Sequence, residues 1–208
     1  MTRTRRAPFV AHRFQLRPED TVVLHGLTVT SPARTWRDLS RVLAMPDLVA
    51  AGDSILRGGT TIDELNELLR SMPQAPSSRR AREALVLLDG RSRSRPESHL
   101  RVAVAGLTVV PFEVNQPIHR DEGGWLAEPD LSLVEAKIAL EYQGADHADV
   151  QRMRRDLTRS LDLRRSGWCV LPYGPAEVLG RPWEVRAEVR AQVLARAPQL
   201  VIRRVRRR

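Results

Sequence analysis

Acidic side chains interrupt two stretches that otherwise have the pattern of buried β-strands. Apolar residues alternate through residues 137–143, which places Glu141 and Gln143 on one side of a predicted strand. Asp130 lies in an extended run just upstream, and the segment between the two runs is short enough for a tight turn between antiparallel strands. We therefore expect Asp130 and Glu141 to meet at one end of a hairpin.

Two neighbouring carboxylates in a partly dry site repel each other, and burying them is costly without a counter-charge. A divalent cation supplies that charge. Mg²⁺ commonly takes one or two carboxylates and leaves its other positions to water and phosphate oxygens. A metal ion can activate water and stabilise the negative charge that develops during phosphodiester hydrolysis. The pattern predicts a site for Mg²⁺ or Mn²⁺ at Asp130 and Glu141.

The spacing of these residues resembles a known signature. Pro129-Asp130, ten residues, and then Glu141-Tyr142-Gln143 is similar to the PD-(D/E)xK motif of the restriction-endonuclease-like superfamily, with Gln where that motif has Lys. His147, a basic helix and Gly167-Trp168 follow, as in the branch related to very-short-patch repair endonucleases. The resemblance covers residues 95–195. It implies a metal-dependent DNA endonuclease that acts in DNA repair or in defence against phages and mobile elements.

The same resemblance suggests roles for individual residues. It makes Glu97, near the start of a predicted helix, a third metal ligand, although an acidic residue there also simply complements the helix dipole. Gln143 stands in place of the catalytic Lys and can hydrogen-bond but brings no charge. His147 is a candidate general base or acid that could replace that Lys, or else a polar loop histidine.

The charge of the chain favours a polyanionic partner. The formal net charge is +9, and Lys137 is the only lysine among 34 Lys and Arg. Guanidinium groups suit phosphates, so the expected partner is DNA, bound mainly through its backbone. The alternative interpretation of the positive charge is a solvated surface combined with a genomic bias toward Arg. The residues expected to contact phosphates are Arg93, Arg95, Arg152, Arg154, Arg155 and Arg159. Trp125 is expected in the core.

The cysteine count and hydropathy indicate an intracellular location. Cys169 is the only cysteine, which excludes an intrachain disulfide and fits a reducing cytoplasm. No apolar run approaches the roughly eighteen residues of a membrane span. We therefore expect a cytoplasmic protein that does not bind membranes.

The region before the predicted nuclease is mostly helical. Residues 21–30 predict a hairpin, Ser31-Pro32 a helix start, and Thr61 to Glu64 a capping box. Residues 29–39, Val-Thr-Ser-Pro-Ala-Arg-Thr-Trp-Arg-Asp-Leu, resemble a segment of abortive-infection type IV antitoxin-like proteins. That resemblance implies a protein partner bound through residues 22–70.

The expected fold class is α/β (α+β), a small helical region followed by a restriction-endonuclease-like mixed sheet flanked by helices. The expected divisions are residues 1–72 for the antitoxin-like region, 73–92 for a linker and connecting helix, 93–198 for the endonuclease-like domain and 199–208 for a basic tail. Within them, the pattern predicts a helix at residues 79–89 and extended runs at residues 109–118 and 125–133. Two alternatives to an endonuclease stay open: a DNA-binding protein that has lost catalysis, and an antitoxin-like regulatory protein.

Overall fold

The computed structural model describes residues 15–71, 78–120, 122–144 and 150–202, with side chains from residue 157 onward in the last range. The first half of the chain consists of a β-hairpin followed by short helices. Its elements are, in order, β1 (Thr21–Leu24), β2 (Leu27–Thr30), α1 (Pro32–Leu39), α2 (Met45–Arg57), α3 (Ile62–Ser71) and α4 (Ser78–Leu85).

Local sequence signals determine where these helices start. The Ser31 hydroxyl accepts a hydrogen bond from the Arg34 amide at 3.3 Å, and Pro32 occupies the first turn of α1. Before α3, the Thr61 hydroxyl accepts from the Glu64 amide at 3.1 Å while the Glu64 carboxylate accepts from the Thr61 amide at 2.7 Å. The predicted caps are therefore confirmed.

The second half contains five successive strands between two helices, followed by a further strand and a last helix. Its elements are α5 (Arg95–Val104), β3 (Glu113–Val114), β4 (Ile118–His119), β5 (Trp125–Ala127), β6 (Leu131–Leu133), β7 (Ile138–Tyr142), α6 (Val150–Arg165), β8 (Cys169–Tyr173) and α7 (Pro182–Arg196). A 3₁₀ turn, Val134–Ala136, joins β6 to β7, and a π-helical turn, Ala176–Gly180, precedes α7. Among the described residues, no helix is both long and apolar enough to cross a membrane.

Four strands form the main sheet in the order β3-β6-β7-β8. β6 is antiparallel to both β3 and β7, whereas β7 and β8 are parallel, since α6 connects them as a crossover. β4 and β5 form a separate two-stranded ribbon. The fold is thus mixed α/β, as the sequence predicts at this level.

The main sheet separates two apolar clusters because its side chains alternate between faces. Leu131, Leu133, Ile138 and Leu140 belong to the larger cluster, which includes residues of α5 and α7. The opposite face carries Ala139 and Val170, which pack with Leu163 of α6, Trp168 and residues of the β4–β5 ribbon. A third cluster lies among α1 to α4 around Trp36, whose indole N–H donates to the Leu48 carbonyl at 3.0 Å.

A buried carboxylate links the two halves of the chain. Asp53 of α2 is fully buried and forms an ion pair with Arg101 of α5. It also accepts hydrogen bonds from the Ser98 hydroxyl at 2.6 Å and the Asp89 amide at 2.7 Å. These bonds satisfy an ionisable group that would otherwise be expensive to bury.

Three sequence predictions are wrong in detail. Trp125, expected in the core, is 57% exposed because it begins β5, which lies outside the main sheet in the two-stranded β4–β5 ribbon. The extended run 125–133 divides between two sheets, since β5 pairs with β4 and β6 pairs with β7. The helix predicted from residue 79 to residue 89 ends at Leu85, and the backbone then turns so that the Asp89 amide reaches Asp53.

Two other predictions concern the first half. The hairpin β1–β2 is confirmed, and it leaves Val23 and Leu27 exposed. A partner bound through residues 22–70 stays a prediction, as do the domain boundaries. Residues 1–14, 72–77 and 203–208, which include parts of the predicted linker and basic tail, lie outside the described residues.

Candidate functional site

The β6–β7 hairpin determines where the acidic residues lie. Lys137 ends the connecting turn with a left-handed backbone, φ 48°, which lets the chain reverse between the paired residues Leu133 and Ile138. In the resulting register, Leu131 pairs with Leu140 and Ser132 with Ala139. Asp130, just before β6, therefore lies opposite Glu141 of β7 at the same end of the hairpin. Their side chains are on the same face, because directly opposed residues of antiparallel strands project together.

Asp130 is held in place by the neighbouring strand. Its Oδ2 accepts a hydrogen bond from the Tyr142 amide at 2.7 Å. Burial of the Asp130 carboxyl, together with the nearby charges of Glu97 and Glu141, raises its pKa to about 6, and Arg159 and the Tyr142 hydrogen bond only partly oppose this effect. Glu97 and Glu141 are therefore both close enough to disfavour the ionised form of Asp130.

Glu97 reaches the same region from α5. Ser94 caps this helix through a 3.4 Å hydrogen bond from the Glu97 amide. The buried Glu97 side chain turns back so that its Oε2 accepts from the Arg93 amide and from the Asn115 side-chain amide, each at 2.8 Å. Glu97 thus serves as a helix-terminal acceptor, and its contact with Asn115 directs it toward Asp130.

Asn115 is a residue of this site that the sequence reasoning missed. It follows β3 in a left-handed conformation, φ 47°, and its backbone amide donates to the Asp130 carbonyl at 3.1 Å. Its side-chain amide donates to Glu97 and also to the Arg91 carbonyl at 2.8 Å. An Asn between an apolar strand and Gln-Pro is a recognisable signal, because Asn tolerates positive φ better than other residues with a side chain.

Arg159 of α6 supplies a positive charge to the acidic cluster. Its Nη2 lies 3.4 Å from Glu141 Oε1, and Glu141 is buried. The sequence suggested a phosphate contact for Arg159, whereas the structure directs this guanidinium at least partly to a carboxylate. Arg159 thus offsets part of the negative charge that Glu141 brings to the cluster.

The other predicted catalytic residues lie differently. Gln143 directly follows β7, its side chain is exposed, and its backbone amide donates to the Tyr173 carbonyl at 2.8 Å. It therefore extends the β7–β8 pairing and leaves its side chain at the surface. His147 lies outside the described residues, so its proposed role stays a prediction.

The predicted phosphate-binding arginines that the structure describes have acidic partners. Arg93 forms an ion pair with Glu128, and Arg95 forms one with Asp47 at 2.7 Å. Both side chains are more than 60% exposed, so each pair is screened by solvent and contributes little to stability. The side chains of Arg152, Arg154 and Arg155 lie outside the described residues.

The donor atoms at the site suit a hard cation. Asp130 and Glu141 match the one or two carboxylates that Mg²⁺ usually takes from a protein, and the donors nearby are oxygens. Within the described residues, however, no group of three His, Cys, Asp or Glu side chains is placed to hold a metal ion together. Glu97 is thus not grouped with Asp130 and Glu141 as a third direct ligand in this arrangement.

Comparison with known proteins gives relatives without an assigned activity. No family model matches the chain, and no solved structure matches it. The chain is 30% identical over 166 residues to proteins described as uncharacterized from two strains of Mycobacterium tuberculosis. The match covers 79% of this chain and 61% of the length of those relatives.

Proposed function

We propose that this protein is a metal-dependent DNA endonuclease of the restriction-endonuclease-like superfamily, related to the very-short-patch repair branch and acting in DNA repair or in defence against phages and mobile elements. The observation that supports it best is the convergence of Asp130 and Glu141 at one end of the β6–β7 hairpin. Buried Glu97 adjoins them through Asn115. Such a concentration of acidic groups in a partly dry site favours a bound cation.

Asp130 and Glu141 would hold Mg²⁺ or Mn²⁺, which when bound supplies Lewis-acid stabilisation of the charge on the phosphate. The hydrogen bond from the Tyr142 amide fixes the Asp130 carboxylate for this task. Arg159 orients Glu141 and brings a guanidinium close to where a phosphate would lie. Gln143 can donate a hydrogen bond to the attacking water or the phosphate, and His147 would move the proton.

Backbone binding explains the charge of the chain under this proposal. A net charge of +9 favours association with a polyanion, and the exposed Arg93 and Arg95 can exchange their carboxylate partners for phosphates. We expect DNA affinity to fall steeply as salt increases, with little dependence on sequence.

Plasmid nicking tests the proposal. Supercoiled DNA is incubated with the protein in Mg²⁺ or Mn²⁺, and the unsubstituted chain is compared with Asp130→Ala and Glu141→Ala. We expect cleavage that both substitutions abolish, with DNA binding retained in a fluorescence anisotropy titration. Asp63→Ala is the matched control, since Asp63 is an exposed carboxylate of α3. Cleavage that persists in Asp130→Ala, or that EDTA does not stop, would refute the assignment.

A second candidate is a DNA-binding protein without catalysis. The Arg159–Glu141 ion pair supports it, because it partly neutralises the charge that a metal would otherwise balance, and so does the exposed, uncharged Gln143. DNA binding without cleavage by any form would favour this candidate. Under the endonuclease proposal, Gln143→Lys is expected to raise the cleavage rate; an unchanged rate would mean that another group, such as His147, has taken over that role.

A further inference from the structure

A cavity lies on the face of the main sheet that carries Ala139 and Val170, and Ser132, at the centre of β6, forms part of its wall. Its volume is about 440 Å³, within the range of sites that bind small molecules. The β4–β5 ribbon forms one wall, and the turn before β7 forms the other. The cavity adjoins the candidate metal site, since Ser132 is two residues, or about 7 Å along the strand, from Asp130. The residues that line the cavity are nevertheless different from the acidic residues of that site.

Ser132 supplies the first sign of a ligand. Its side chain is 1% exposed, it lies in the cavity wall, and its hydroxyl has no hydrogen-bond partner among the described residues. A buried hydroxyl without a partner is unfavourable, and such groups are rare in folded proteins. Glu113 lies directly opposite Ser132 in the β3–β6 pairing and also lines the cavity. A ligand with adjacent donor and acceptor groups would satisfy both side chains.

Lys137 supplies the second sign. It is the only lysine of the chain and has a left-handed backbone, a conformation that costs free energy for a residue with a side chain and that recurs at functional sites. Its ammonium donates to the Ser166 carbonyl at 3.3 Å, and an ammonium has three donors. Arg120 also lines the cavity, where its guanidinium is 3.5 Å from Asp162. The lining also contains Glu122 beside Glu113, so Lys137 and Arg120 are the groups against which an anionic part of a ligand would lie.

The remaining wall is apolar. Ile118, Leu126 and Trp168 line it and belong to the cluster beneath the β4–β5 ribbon. Trp168 is 7% exposed, so the indole presents a small apolar surface to the cavity, which suits contact with one planar ring. The cavity thus combines a surface for a planar ring, a hydroxyl and a carboxylate for the edge of that ring, and two cations for a phosphate.

We propose that this cavity binds a single nucleotide, with the base against Trp168, the base edge at Ser132 and Glu113, and the phosphate at Lys137 and Arg120. The Glu113 carboxylate accepts hydrogen bonds, so bases with an exocyclic amino group fit better than thymine. The inference does not depend on the proposed cleavage, because the two sites use different residues.

Calorimetric titration in EDTA tests the proposal. The probes are dAMP, dCMP, dGMP and dTMP, with the matching deoxynucleosides and inorganic phosphate as partial ligands and a single-stranded trinucleotide as the polymeric source. We expect saturable binding of the amino-bearing nucleotides, weaker binding of dTMP, and still weaker binding of the nucleosides or phosphate alone. Binding of the trinucleotide alone would identify the occupant as part of a strand, and binding of the free nucleotides alone would identify it as a small-molecule ligand; both support the proposal.

Two substitutions locate the binding. Ser132→Ala is expected to weaken binding about tenfold while leaving the thermal stability unchanged or higher, since it removes a hydroxyl that lacks a partner. Lys137→Asn keeps a residue that tolerates positive φ, and removal of the charge is expected to weaken nucleotide binding but not nucleoside binding. Ser92→Ala is the matched control, because the Ser92 hydroxyl is likewise buried without a partner among the described residues but does not line this cavity.

Two results would overturn the proposal. The first is no saturable binding of any nucleotide or trinucleotide at millimolar concentration. The second is binding that Ser132→Ala and Lys137→Asn leave unchanged, or that Ser92→Ala weakens equally. Nucleotide binding retained in Asp130→Ala, or in a chain that cleaves no plasmid, would separate this site from the proposed nuclease activity.

Discussion

Asp130→Asn provides the sharpest test of the physical argument for the acidic site. Burial and the charges of Glu97 and Glu141 raise the pKa of Asp130 to about 6, against 3.8 for an unperturbed Asp. The folded protein therefore holds this proton more tightly than the unfolded chain does. The resulting stabilisation is fully present below about pH 4 and is lost as the pH rises through about 6. A shift of about two pKa units corresponds to at most about 3 kcal/mol.

Asn is neutral and can still accept the Tyr142 amide hydrogen bond through its side-chain oxygen. In EDTA at pH 8, we therefore expect Asp130→Asn to raise the free energy of unfolding by up to about 3 kcal/mol, and this difference should vanish near pH 4. Mg²⁺ should stabilise the unsubstituted protein at pH 8 and have less effect on Asp130→Asn, since a ligand that binds only the folded state adds to its stability.

Urea denaturation followed by circular dichroism at pH 4, 6 and 8 measures these differences. Asp63→Asn is the control, because Asp63 is exposed and its substitution should give a small difference that does not follow the same pH dependence. A variant that is less stable than the unsubstituted chain at pH 8, or a difference that is constant with pH, would refute the conclusion that the acidic residues repel one another in the folded state.

Three further predictions concern stability and can be measured by the same denaturation method. Asp53→Ala should lower the free energy of unfolding by about 3–5 kcal/mol, because it leaves the partly buried Arg101 guanidinium without its carboxylate. The control Asp63→Ala should have little effect, and an equal loss of stability in both variants would contradict the prediction. Gly52→Ala should cost about 1–3 kcal/mol, because the added Cβ would lie 2.5 Å from a Leu88 methyl carbon and 2.8 Å from the indole nitrogen of Trp36; an unchanged midpoint would show that both side chains move aside at little cost. Asn115→Ala should lower the free energy of unfolding by about 1 kcal/mol more than Asn115→Gly does, since both variants lose the side-chain hydrogen bonds but only Ala is strained at φ 47°. Equal losses of stability in the two variants would exclude backbone strain as the cause.

The sequence predicted the local elements that depend on neighbouring residues. The β1–β2 hairpin, the Ser31 cap and the Thr61–Glu64 capping box are confirmed because each is determined by contacts within a few residues. The β6–β7 hairpin is confirmed for the same reason, since its short turn and the alternation of its strands determine the register.

Predictions that required knowledge of distant neighbours were less accurate. The exposure of Trp125 depends on what covers the β4–β5 ribbon, and a hydropathy pattern does not contain that information. The extended run 109–118 contains only two short strands, because Asn115 breaks the strand to reach Glu97 on α5. The end of α4 at Leu85 likewise follows from the long-range bond between the Asp89 amide and Asp53.

By itself, the sequence determined that Asp130 and Glu141 lie at one end of a hairpin, because strand periodicity and turn length are local properties of the chain. The tertiary structure decided which groups surround them. It brought Glu97 and Asn115 from one side and Arg159 from another, across separations of 15 residues or more that no local pattern encodes. The balance of charge at this site, on which the proposed metal binding depends, is a sum over groups that meet only when the helices pack on the sheet.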